Sequence, residues 1–146
     1  MKADVFVDTN VLVYAHDASE PVKQPLAEAW YRALWQSRRG RVSVQVLNEY
    51  YHTVTRKLRP GRNVTWARAE VRALGKWKPI PLQSGAVERA WLLQDRFALS
   101  YWDALIVATA QIGHCRYLLT EDLQEGQDLG GVIVLNPFLH LPDEIG

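Results

Sequence analysis

Four acidic residues, Asp8, Glu49, Asp103 and Asp122, fall where a single crevice could gather them. Asp8 closes the run Val5-Phe6-Val7, whose β-branched and aromatic composition predicts a buried strand. Glu49 sits one turn into a predicted helix, and Asp103 lies in the first turn of the most apolar helix of the chain. Asp122 follows the Leu118-Leu119-Thr120 run by two residues. In a parallel α/β sheet, ligands bind beyond the carboxyl ends of the strands, so a strand ending on Asp8 delivers a charge to that edge. Each acid also has a plainer reading. Asp8 or Asn10 would cap the next helix, and Ser100 with Asp103 resembles a capping box in which Asp replaces Glu or Gln. Glu49 would be a solvent-facing helix residue and Asp122 a turn former.

Taken together the acids point further. Tyr101-Trp102-Asp103-Ala104-Leu105-Ile106 is a costly neighbourhood for a lone charge. Two carboxylates about 4 Å apart repel by roughly 4 kcal/mol at an effective dielectric of about 20, so converging acids destabilise a fold unless a cation sits among them. Hard divalent ions take oxygen ligands, and Mg²⁺ binds through a few carboxylates, waters and substrate phosphate. Such a site suits phosphodiester hydrolysis, in which a metal lowers the pKa of an attacking water and steadies the leaving oxygen.

The elements that must position these acids can be read from apolar periodicity. After the first strand, Val11 to Ala15 predicts a short helix, and Ser19-Glu20-Pro21 opens a longer one running to about Ser37. The basic residues 38–41 are expected to form a loop, Val42-Ser43-Val44 a second strand, and Gln45 to Leu58 a third helix stopped by Pro60-Gly61. Helices are predicted from about Thr65 to Trp77, from Ser84 to Leu99 with Trp91 on its apolar side, and from Trp102 to His114. Ile80, between two prolines, suggests a very short edge strand. Tyr117 to Thr120 and Val132 to Leu135 are the remaining strands, joined by an acidic loop with glycine. Strands alternating with helices predict a parallel sheet between helical layers. Gly130-Gly131 is too short and wrongly placed for a phosphate-cradling loop.

At 146 residues and 48% hydrophobic content the chain reads as one domain, residues 1–146, with a sizeable core. No apolar run spans a bilayer, and the start lacks the pattern of a secretory signal, so a cytoplasmic location is expected. Cys115 stands alone, which excludes an intrachain disulfide or a cysteine zinc cluster. The net charge of +1 conceals an asymmetry: residues 1–73 hold twelve Lys and Arg against seven acids, and residues 74–146 hold five against nine. The basic groups Arg38, Arg39 and Arg41, and then Arg56 and Lys57, are candidates to neutralise nucleic-acid phosphates, although most charge runs are solvated faces.

The motifs carrying the acids resemble those of PIN domains. Phe6-Val7-Asp8-Thr9-Asn10-Val11-Leu12 looks like the opening motif, Val44-Gln45-Val46-Leu47-Asn48-Glu49 like the second, and Ser100-Tyr101-Trp102-Asp103-Ala104 like the third. Leu119-Thr120-Glu121-Asp122 with Asn136-Pro137-Phe138 looks like the closing one. The resemblance implies a three-layer α/β/α sandwich with a mostly parallel sheet, and a Mg²⁺- or Mn²⁺-dependent endoribonuclease most similar to the VapC toxins of toxin-antitoxin pairs. It implies that Asp8, Glu49, Asp103 and Asp122 hold the metal, and that Thr9, Asn10 and Thr120 orient the carboxylates. It also implies a homodimer and a small VapB-like antitoxin partner. Glu121 beside Asp122 departs from the pattern and leaves two candidates for the fourth acid. Two other classes compete: a catalytically inactive module binding RNA or a protein partner, and a phosphatase with Asp8 as nucleophile. Against the second, the Asp8-Thr9-Asn10 motif lacks the second Asp two positions on.

Overall fold

The computed structural model describes residues 2–146, and among them five short strands form one sheet in the order β2-β1-β3-β5-β4. β1 (Val5–Val7) lies between β2 (Gly40–Arg41) and β3 (Tyr117–Leu119), and β5 (Val132–Leu135) follows β3, all parallel. β4 (Asp128–Leu129) pairs antiparallel with β5. The helices are α1 (Thr9–Tyr14), α2 (Lys23–Ser37), α3 (Val44–Arg56), α4 (Val64–Leu74), α5 (Ser84–Phe97) and α6 (Tyr101–Ile112). The chain leaves β1 in one direction to reach β2 and returns past β1 to reach β3. Right-handed crossovers of opposite direction put their helices on opposite faces, giving the three-layer sandwich.

β1 is fully buried, as a central strand covered on both faces must be. α3 turns Val46, Tyr50 and Val54 inward at helical spacing, and α6 buries every residue from Ala104 to Ala110. Cys115 is buried just before β3. No helix among the described residues is long and apolar enough to cross a membrane.

Three expectations are corrected. The second strand is Gly40–Arg41 rather than Val42-Ser43-Val44, because the Ser43 hydroxyl accepts the Val46 amide at 3.1 Å and starts α3 at Val44. Ser43 keeps only a single parallel bridge to Ile80. Gly40 suits the strand because a Cβ there would stand 2.8 Å from the buried Trp77 ring. Trp91 faces solvent, at 53% exposure, and is not part of the core.

The third correction concerns the basic loop. Arg39 is buried, its guanidinium donating to the Ala3 carbonyl at 2.6 Å and the Ile145 carbonyl at 3.2 Å. Arg41 donates to the carbonyls of Trp77, Lys78 and Gly113. Both fasten the amino-terminal edge of the sheet, the end opposite Asp8, so neither is available to grip a ligand at the acids. Arg38 is exposed but caps the far end of α2, and 15 helical residues span about 22 Å.

Candidate metal-dependent catalytic site

Asp8 leaves β1 at its carboxyl end with extended backbone and caps α1, accepting the Thr9 amide at 2.8 Å on Oδ1. The capping reading of Asp8 therefore holds, and it occupies only one of the two carboxylate oxygens. Its other oxygen, Oδ2, accepts the Thr120 hydroxyl at 2.9 Å and the Asn10 amide nitrogen at 3.3 Å. Thr120 is in place because β3 pairs with β1 in register, Val7 opposite Leu119, so the residues following both strands emerge side by side.

Asn10 joins the acids across the chain. Its Nδ2 lies 3.0 Å from Asp122 Oδ2 and 3.1 Å from Thr120 Oγ1. Thr120 in turn accepts the Asp122 amide at 3.1 Å, which turns Asp122 back toward the strand ends. Glu121 faces elsewhere, accepting the Tyr14 hydroxyl at 2.5 Å and pairing with Lys23 at 2.9 Å. Of the two adjacent acids, Asp122 is the one that reaches Asn10.

Glu49 arrives from α3. The Thr9 hydroxyl donates to its Oε2 at 3.0 Å, and Gln45, one turn earlier, donates to its Oε1 at 2.8 Å. Asp103 stands in the first turn of α6, whose amino end lies at the carboxyl edge of the sheet because α6 runs antiparallel to the strand it feeds. The Ser100 hydroxyl caps that helix, accepting the Asp103 amide at 3.2 Å. Among the described residues the Asp103 carboxylate accepts no hydrogen bond, so the reciprocal half of a capping box is missing. Its charge is close enough to Asp122 to push that carboxyl's pKa upward.

The electrostatics match a site built from like charges. Burial, opposed by the Thr120 and Thr9 hydrogen bonds and reinforced by Asp122 and Glu49, pushes Asp8 up to about 6. Asp122 is also raised, chiefly by burial and then by Glu121 and Asp103, against the Asn10 hydrogen bond. Asp8, Glu49 and Asp122 line one cleft of about 450 Å³. Its wall adds Tyr14, Asp17 and Glu20, which the sequence analysis did not single out. Asp17 carried a local signal, since its carboxylate bonds the amide and hydroxyl of Ser19 in an Asx turn.

The donor set is oxygen throughout, as a hard divalent ion requires. The Asn10 Oδ1 atom is buried without a hydrogen-bond partner, an acceptor left over inside the cluster. Among the described residues no three acidic, histidine or cysteine side chains close on one point as they stand, the acids being separated by the Thr and Asn side chains between them. Glu49 and Asp122 are exposed, so their closure around an ion is not opposed by packing.

The profile of the PIN domain family matches residues 5–124, a span reaching from β1 past Asp122. The chain belongs to the PIN domain family. Among solved structures it is similar to a toxin-antitoxin complex from Klebsiella pneumoniae, with TM-score 0.67 and 21% identity over 92% of this chain and 98% of that one. It is also similar to Mycobacterium tuberculosis VapC20, a sarcin-ricin loop cleaving toxin, with TM-score 0.60 and 22% identity over 79% and 87%. No curated protein matches the sequence. At these identities the neighbours establish the PIN fold.

Proposed function

We propose that this PIN domain is a Mg²⁺- or Mn²⁺-dependent endoribonuclease acting as the toxin of a toxin-antitoxin pair. The observation that carries the reading is the bonded network in which Thr9, Asn10 and Thr120 tie Asp8, Glu49 and Asp122 together at the carboxyl edge of the sheet, while Asp8 is held up to about 6. Like charges gathered at that energetic cost are worth keeping only where a cation or a proton is used. Asp8, Glu49, Asp103 and Asp122 would hold the metal, which when bound supplies an activated water and charge neutralisation at the phosphate. The protein's own part is positional. Thr120 and the Thr9 amide fix both oxygens of Asp8, Gln45 and Thr9 fix both oxygens of Glu49, and Asn10 aims Asp122.

Of the basic residues expected at RNA, Arg56 and Lys57 remain candidates. They are exposed at the end of α3, and Arg56 shares a helix face with Glu49 and Thr53 at spacings of seven and three. The test is cleavage of single-stranded RNA by the purified protein in Mn²⁺, in excess chelator, and after metal is restored. Turnover that survives the chelator refutes the mechanism, and RNA binding without turnover in any divalent ion favours the inactive binding module.

A homodimer and an antitoxin belong to the same reading, the second supported by the toxin-antitoxin complex among the structural neighbours. Trp91 and Leu92 on α5 and Trp102 at the start of α6 are 53%, 71% and 67% exposed, apolar side chains of the kind a second copy would cover. Leu92→Glu is expected to give a folded monomer in sedimentation equilibrium. A wild-type chain that is monomeric at tens of micromolar removes the dimer from the proposal.

A further inference from the structure

The cleft has an electrostatic difficulty with its proposed substrate. Asp8, Asp17, Glu20, Glu49 and Asp122 contribute to its lining, and among the described residues no lysine or arginine does. RNA on either side of the scissile bond brings phosphates that an ion held at the four acids does not neutralise. A cation stands at the rim of the cleft, against Tyr14. Lys23, in the first turn of α2 and three residues after Glu20, places its Nζ 2.9 Å from Glu121 Oε2 and 3.5 Å from the Tyr14 hydroxyl. The same ammonium lies 4.9 Å from the ring centre of Tyr14 and 5.3 Å from that of Phe138. Tyr14 is itself part of the cleft wall, with Phe138 packed edge-on against it at 5.4 Å.

We infer that Lys23 grips the RNA phosphate next to the one that is cut, and that Glu121 holds it at the cleft edge until substrate arrives. The inference rests on the nuclease reading above and gives a task to the acid that turns away from Asn10. A lysine ammonium is a compact charge on a flexible stem, well suited to exchanging one oxyanion for another. The Lys23 side chain is 37% exposed, and an ion pair in that setting is weakly held and screened by salt. A phosphate oxygen offers a charge-assisted bond of the same kind, so the exchange costs little. The Tyr14 and Phe138 rings stay against the ammonium's approach and keep it at the rim in either state. Glu121 then competes with RNA for Lys23 and sets how tightly substrate is held.

The experiment measures binding of a labelled single-stranded RNA to the catalytically silent Asp8→Asn protein in Mg²⁺ over a range of KCl. Lys23→Met is expected to weaken binding roughly tenfold and to lower the slope of log affinity against log salt by about 0.7. Lys23→Arg keeps most of the affinity, and Glu121→Gln, which frees the ammonium, tightens binding. In steady state Lys23→Met raises KM and leaves kcat nearly unchanged. If the pair were merely structural, Lys23→Met and Glu121→Gln would both lose thermal stability and both bind more weakly, and that result overturns the inference. So does an unchanged affinity and salt slope in Lys23→Met, or a failure of the Asp8→Asn protein to bind RNA. A wild-type protein that binds but never cuts defeats the nuclease reading while Lys23 is still judged on binding. A wild-type protein that cuts with the same KM as Lys23→Met defeats only the role given to Lys23.

Discussion

Replacing Asp8 with asparagine is expected to do two opposite things: to lower the rate of RNA cleavage by roughly 10³-fold or more, and to raise the stability of the metal-free protein at neutral pH. The first follows from its position. Asp8 is the most buried of the four acids and touches Thr9, Asn10 and Thr120, so no neighbouring carboxylate can take over its place. Losing several kcal/mol of charge stabilisation in the transition state costs about three powers of ten or more in rate. The second follows from its pKa, pushed from 3.8 to about 6 by burial ahead of the neighbouring charges. At about 1.4 kcal/mol per pH unit, the charged form carries a penalty of roughly 3 kcal/mol above pH 6. An uncharged amide escapes it. Part of the gain is returned, because the introduced amide nitrogen faces the Thr120 hydroxyl and the Asn10 amide, both now donating to that oxygen. Two lost hydrogen bonds at about 1 kcal/mol each leave a net gain of roughly 1 kcal/mol.

The sign with pH is equally definite. The folded carboxyl titrates above the unfolded one, so below about pH 4 both are protonated and the group contributes nothing. Between pH 4 and 6 the unfolded chain gives up its proton first, and stability falls as pH rises; above pH 6 the penalty is constant. Asp122, raised in the same direction, adds to the slope. Thermal melts of the metal-free wild type should therefore lose midpoint from pH 4 to 6, with Asp8→Asn much flatter. At pH 7, Mn²⁺ should raise the midpoint of the wild type and not that of the variant. Equal rises in both proteins would mean that the ion binds elsewhere.

The pattern of what could be read in the chain has a physical basis. α3 was legible because Val46, Tyr50 and Val54 recur at the period of the helix itself, and α6 because its largely apolar run, buried without a break from Ala104 to Ala110, marks a helix packed on several sides. β2 was not, since Gly40–Arg41 has no apolar pattern. It is a strand because Trp77 packs on Gly40 and Ser43 starts the next helix, both decisions taken elsewhere in the fold. β4, Asp128–Leu129, is just as short and has a single apolar residue, and its signal lies in the turn that follows it. Gly130 and Gly131, both at positive φ, make the two-residue turn joining β4 to β5. At the site, the acids could be named from strand ends and motif order, whereas their wiring could not. Asn10 and Asp122 are 112 positions apart, and no periodicity foretells that bond. Charge counting failed at Arg39 and Arg41 because it says nothing about which edge of the sheet a guanidinium serves.

That wiring predicts the second large effect. Asn10→Ala is expected to raise the Mn²⁺ concentration needed for half-maximal cleavage by roughly 10–100-fold, the usual cost of removing a group that orients metal-binding carboxylates. An amide nitrogen has two hydrogens, and the Asn10 nitrogen faces three acceptors on Asp8, Thr120 and Asp122. Removing it frees the exposed Asp122 to turn away and removes the one side-chain bond that lowers its pKa, so that carboxyl titrates still higher. The acidic limb of the pH–rate profile should therefore move toward higher pH together with the weaker metal response. Asn10→Asp separates geometry from charge: it fills the same space but adds a further carboxylate where a donor stood, and should lose activity at limiting metal more steeply than the alanine variant. Loss of packing alone predicts lower thermal stability with the metal titration unmoved. If Asn10→Ala reaches half-maximal rate at the same Mn²⁺ concentration as the wild type, the amide does not organise the acids and the network has no part in holding the ion.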